Sequence, residues 1–256
     1  MKLPPLNLAQ ILEGFREHSA AVLDLTDEFS DLHDDTAQSP ALVAEAMARL
    51  VDVLQRIERD HSDRCGDLPF REPTRNDTLD VSELGEYGIS LLAEMSAHAT
   101  QLGLDDDARE LQSLCFPMAV WIGRHGGEIR NLGQVVNAIA ESAKQLHEPA
   151  ELEHLSRCIT EVIDAVAPKF RQDPDNPDPG RPWRALLISH GNIATRSYSP
   201  HLMEQAFELV VHYLPGDARS FFLEGMGQMD ALDYPQHVRA VMQRFADQWC
   251  DRKTLH

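Results

Sequence analysis

The 256 residues are 43% hydrophobic and 25% charged, enough apolar material for a real core and too much for a disordered chain. The net charge of −19 is uneven: 17 acidic against 8 basic residues in 1–80, 17 against 7 in 81–180, and 8 against 8 thereafter. A phosphate backbone would be repelled by the first two-thirds, which argues against nucleic acid, and no run approaches the roughly 18 apolar residues of a membrane span.

Leu8, Ile11, Leu12, Phe15, Val22, Leu25 and Phe29 keep helical spacing and predict a first helix over 8–29. Its end is acidic (Asp24, Asp27, Glu28, Asp31, Asp34, Asp35), in conflict with the negative pole of the dipole there. Ser39-Pro40 reads as a helix start, with Leu42, Met47, Leu50, Val53, Leu54 and Ile57 on the buried face. From His61 to Thr78 the pattern dissolves into Gly66, Pro69, Pro73 and Asn76, which predicts a long surface connection acting as linker or lid.

A helical hairpin follows over 80–125. Leu84, Tyr87, Leu91, Met95 and Leu102 are read as one apolar stripe, and Gly103 as the stop. Asp105, Asp106 and Asp107 suit the positive start of a second helix, whose apolar face is Ala108, Leu111, Leu114, Cys115, Met118 and Trp121. Pro117 inside it predicts a kink, and Gly126-Gly127 an end. Further helices are expected over 131–146 and from Glu148-Pro149 to Val166. Prolines and aspartates make 171–181 a stiff connector. Helices then start at Pro182, Ser199-Pro200, Pro215-Gly216-Asp217 and Tyr234-Pro235.

The expectation is an all-α chain of about ten helices in antiparallel pairs, forming a single domain over 1–256. A sub-boundary or hinge is placed at 171–181, between an acidic part (1–170) and a C-terminal four-helix part (182–256). With Leu84-Gly85-Glu86-Tyr87 leading to Gly103 and Asp105, the chain resembles the tetratricopeptide-like (TPR-like) family of helical-hairpin repeat proteins. The resemblance implies an α-solenoid, a superhelical scaffold for peptides or proteins; it assigns no residue a role.

Cys65, Cys115, Cys158 and Cys250 form no CxxC, and Met1–Asn7 lacks the basic and apolar regions of a signal peptide, so a reduced, cytoplasmic protein is expected. Asp106-Asp107-Ala-Arg-Glu110 fits the DDxxE spacing by which some α-helical enzymes hold Mg²⁺, although a helix start explains these aspartates equally well. Glu151 and His154, three apart, share a helix face as in di-iron sites, with Glu94 and His98 as further ligands; solvated helix faces are the plainer reading. His33-Asp34 is a fragment of a phosphohydrolase signature, and no phosphate loop or nucleophile elbow is present.

The most unusual polar stretches are Arg181-Pro-Trp-Arg184 and Ser189 to Arg196. Gly191 there weakens a helix by roughly 1 kcal/mol relative to alanine, so it marks either close helix approach or a binding groove. Trp183, Arg184, His190, Asn192 and Arg196, with Tyr87 and Glu94, are the candidate partner-binding residues. The expected function is a non-enzymatic interaction scaffold for a peptide or protein, with a basic partner on the acidic surface, no cofactor, and a monomeric or homodimeric state. Alternatives are a metal-dependent all-α enzyme using Glu151, His154, Asp106, Asp107 and Glu110, and an oligomeric structural protein.

Overall fold

A computed structural model describes residues 6–28, 39–64, 80–171 and 181–250. Among them are eleven α-helices and no strand. They are α1 (Leu8–Glu28), α2 (Pro40–Arg64), α3 (Val81–Gln101), α4 (Asp105–Ser113), α5 (Cys115–Arg124), α6 (Leu132–Gln145), α7 (Pro149–Ala165), α8 (Pro182–Arg196), α9 (Pro200–Tyr213), α10 (Pro215–Ala231) and α11 (Gln236–Cys250). A 3-10 turn covers Pro168–Phe170. No helix among the described residues is long and apolar enough to cross a membrane.

The start and stop chemistry explains most boundaries. Asp80 accepts a hydrogen bond from Ser82 N–H at 2.9 Å and caps α3, while a weaker 3.4 Å bond joins Ser39 Oγ to Leu42 N–H at the start of α2. At the start of α9 it is Pro200 that sets the first turn, because Ser199 makes no side-chain cap. Gly103 and Gly126 both have φ of +75°. Each lets two N–H groups fold back on the preceding helix: Leu104 to Ala99 O (2.9 Å) with Gly103 to Thr100 O (3.1 Å), and Gly127 to Ile122 O (2.9 Å) with Gly126 to Gly123 O (3.1 Å).

Three sequence expectations are revised. The helix expected to kink at Pro117 is two helices, since Pro117 offers no N–H to Ser113 O and its ring crowds that carbonyl; α4 ends there and α5 begins at Cys115. Polar 61–64, read as connection, continue α2, and the rest of that connection, 65–79, lies outside the described residues. So do His33-Asp34 and residues 172–180 of the expected sub-boundary. The third revision concerns α3. Its buried residues are Ser82, Gly85, Gly88, Ile89, Leu91, Leu92, Met95, Ser96 and Ala99, whereas Tyr87 is 47% exposed. Ser82, Gly85, Gly88 and Ser96 are small, so a reading led by oily residues rotates the helix the wrong way.

The described residues divide into two compact units, one within 6–142 and the other within 143–250. In the first, α3 packs on α1, α2, α4 and α5, and α1 in turn meets α4 and α5. α1 thus meets α4 and α5 as well as α2 and α3, and these five helices close around Phe15, Met47, Leu54, Leu92 and Phe116. A row of pairs, each touching only the next, would leave α1 and α5 apart. Ser96 Oγ donates to Ala108 O at 2.7 Å, and His18 Nδ1 lies 3.0 Å from Asp107 Oδ1, tying α4 to both neighbours.

In the second unit the helices pack in succession: α7 on α8, α8 on α9, α9 on α10 and α10 on α11, with α9 also meeting α7 and α11. Its core holds four phenylalanines, with Phe207 edge-on to Phe221, Phe222 and Phe245 at centroid distances of 5.2–5.6 Å. Each such contact adds about 0.5–1.5 kcal/mol to the area buried.

Candidate functional site

Helix α8 carries five of the candidate residues and directs them to different tasks. Trp183 is buried, edge-on to Tyr213 at 5.2 Å, with the Arg171 guanidinium 5.7 Å from its ring. Arg184 grips Asp217 with two hydrogen bonds, Nε to Oδ2 at 3.0 Å and Nη2 to Oδ1 at 2.7 Å. Asp217 lies in the first turn of α10, so its charge also faces the positive end of that helix. The paired carboxylate holds the Arg184 guanidinium above its ordinary pKa.

Arg196 donates to Ala143 O at 2.9 Å and Leu146 O at 2.6 Å, supplying donors to the C-terminal end of α6. His190 is buried, with Nε2 3.1 Å from Ser156 Oγ on α7, and its Nδ1 has no hydrogen-bond partner among the described residues. Burial pushes its pKa down to about 4, so the ring is neutral near pH 7. Asn192 alone of the five points to solvent. Gly191 is a packing glycine: a Cβ there would lie 2.6 Å from Phe221 Cζ.

Four of these residues therefore fasten α8 to its surroundings. Replacing Arg184 with methionine leaves the Asp217 carboxylate, about a quarter exposed, without its partner. Chemical denaturation is expected to show a loss of about 1–2 kcal/mol, with Arg184→Met/Asp217→Asn costing less than the two single changes together.

Tyr87 and the half-buried Glu94 lie on α3 in the other unit, and are not part of the α8 group. The metal candidates are also divided, with Asp106, Asp107 and Glu110 in the unit within 6–142 and Glu151 and His154 in that within 143–250. Asp106 pairs with Arg109, Asp107 with His18, and exposed His154 approaches Cys158 Sγ at 3.9 Å. Among the described residues no three His, Cys, Asp or Glu side chains group to hold a metal. The buried Cys115 thiol is pushed up to about 12 by burial, which makes it an inert core group.

Two surfaces escaped the sequence reading. Glu13, Glu17 and Asp24 are exposed at steps of four and seven along α1, and none has an ion pair among the described residues. α4, which packs on α1, carries Asp105, Asp106, Asp107 and Glu110 and is joined to it through His18. The second surface is a groove between α9 and α11, with a cavity volume of about 400 Å³, lined by Glu204, Glu208, Val211, Arg244, Phe245, Gln248 and Trp249. Its signal in the sequence was the paired spacing of four, Glu204 with Glu208 and Arg244 with Gln248.

No family model, curated protein or solved structure matches the chain.

Proposed function

We propose that this protein is a non-enzymatic interaction module that takes a basic segment of a protein or peptide partner on the carboxylate-lined outer face of α1 and α4. The observation that carries this reading is the stripe Glu13, Glu17 and Asp24, exposed and without ion pairs among the described residues, on a helix that packs against the acidic α4. Arg16 is the only arginine or lysine in α1, so the face remains strongly negative. Single exposed charge pairs are worth about 0–1 kcal/mol, but several carboxylates acting together raise the local concentration of a cationic segment.

The TPR-like reading is retained for residues 143–250, where successive packing of α7 to α11 is compatible with stacked hairpins. A reducing, cytoplasmic setting fits the free, buried thiol of Cys115. The test uses a peptide rich in lysine and arginine, titrated into the full chain and into Glu13→Gln/Glu17→Gln/Asp24→Asn. All three positions are exposed, so the variant should keep its helical circular dichroism. Binding is expected to weaken about tenfold. Unchanged affinity would refute the assignment of this face.

A further inference from the structure

We infer that the groove between α9 and α11 binds a single arginine side chain of a peptide ligand, a site separate from the acidic face of α1 and α4. The charges in the groove do not cancel. Arg244 Nη2 lies 2.5 Å from Glu204 Oε1, and the Arg244 guanidinium also sits 5.4 Å from the Phe245 ring. That cation is committed to Glu204. Glu208, one turn further along α9, is exposed and has no cationic partner among the described residues. One negative charge is thus left over in a cavity that also presents the half-buried indole of Trp249.

A carboxylate and an indole lining the same cavity suit a flat, delocalised cation. Guanidinium can lie over an aromatic ring while its N–H fork meets a carboxylate, and it is more weakly hydrated than ammonium. The apolar stem of the same side chain would rest on Val211 and Phe245, which line the remaining wall. The cavity of about 400 Å³ lies at the small end of the range for ligand pockets, about 300–1,000 Å³, which is room for one arginine side chain. Anionic ligands are opposed by the unpaired charge of Glu208.

Trp249 provides the readout. Trp121 and Trp183 are 3% and 2% exposed, so quenching by acrylamide reports on Trp249. The probe is a short capped peptide carrying one arginine, compared with versions carrying lysine or the neutral isostere citrulline. The arginine peptide is expected to protect Trp249 from acrylamide, with citrulline at least about tenfold weaker and lysine several-fold weaker. Glu208→Gln should lose most of the protection, while the Glu13→Gln/Glu17→Gln/Asp24→Asn variant retains all of it. Equal binding of citrulline, equal binding of lysine, indifference to Glu208→Gln, or loss of protection in the α1 variant would each overturn the proposal. Because the α1 variant and Glu208→Gln act on different units, this site and the proposed basic-partner face stand or fall separately.

Discussion

Gly85→Ala is expected to lower the stability of the unit within 6–142 by about 2 kcal/mol, seen as a lower urea midpoint with an unchanged slope. Away from contacts, alanine would favour the helix by roughly 1 kcal/mol. Here a Cβ would fall 2.2 Å from Ile122 Cγ1 and 2.6 Å from Ile122 Cδ1. Ile122 is fully buried, and its Cγ1 is bonded directly to the branched Cβ, so a simple swing of the side chain's end does not relieve the clash. α3 packs on four helices at once and has little room to retreat. Overpacking a filled site costs about 1–3 kcal/mol and occasionally more, which outweighs the propensity gain. Ile122→Ala alone should cost about 2–5 kcal/mol through its cavity. The double variant is expected to cost less than the sum, because the new methyl occupies part of that cavity. A neutral or stabilising Gly85→Ala would show that α3 and α5 are not packed this closely.

His190→Gln is expected to change the acid sensitivity of the protein more than its stability at neutral pH. The ordinary histidine pKa of 6.5 falls to about 4 in the folded chain, with desolvation by burial as the main cause. The sign follows from proton binding. Above pH 6.5 the ring is neutral in folded and unfolded chains alike. Between 6.5 and about 4 the unfolded chain takes up a proton that the folded chain refuses, so stability falls as pH falls. Below about 4 both forms are protonated and this contribution stops changing. The whole window amounts to about 3 kcal/mol. Glutamine does not titrate and its amide can still reach Ser156 Oγ. Urea denaturation at pH 7 and pH 4 should therefore show the wild type losing about 3 kcal/mol more than His190→Gln across that interval. Equal losses would place the proton elsewhere.

The helices were legible because their punctuation is local. Asp80, Pro149, Pro200 and Pro215 mark starts, Gly103 and Gly126 mark stops, and each acts through its own backbone. What the helices pack against was not local. Gly85 and Gly88 look like weak points in a helix until Ile122, Met118 and Leu50 are seen resting on them. In the sequence Gly191 fits close helix approach and a groove equally well, and Phe221 resolves the choice.

The candidate cluster on α8 shows the same limit in polar residues. Arg184, His190 and Arg196 stand out in the sequence because buried or half-buried polar groups are unusual, and that is true of ligand sites and of structural fastenings alike. Their partners, Asp217, Ser156 and the end of α6, lie 33, 34 and about 50 residues away, beyond any local pattern. Conversely, the exposed stripe on α1 and the rim of the groove between α9 and α11 (Glu204, Glu208, Arg244, Gln248) are ordinary polar residues, whose arrangement emerges only when neighbouring helices are set side by side.

The most direct test of the proposed function is a salt titration of the wild-type chain with the lysine- and arginine-rich peptide, from about 50 to about 300 mM monovalent salt. Exposed charges are screened over about 10 Å at 0.1 M, so affinity for the face of α1 and α4 is expected to fall steeply and continuously over that range. Binding that holds constant as salt rises would contradict an acidic docking face.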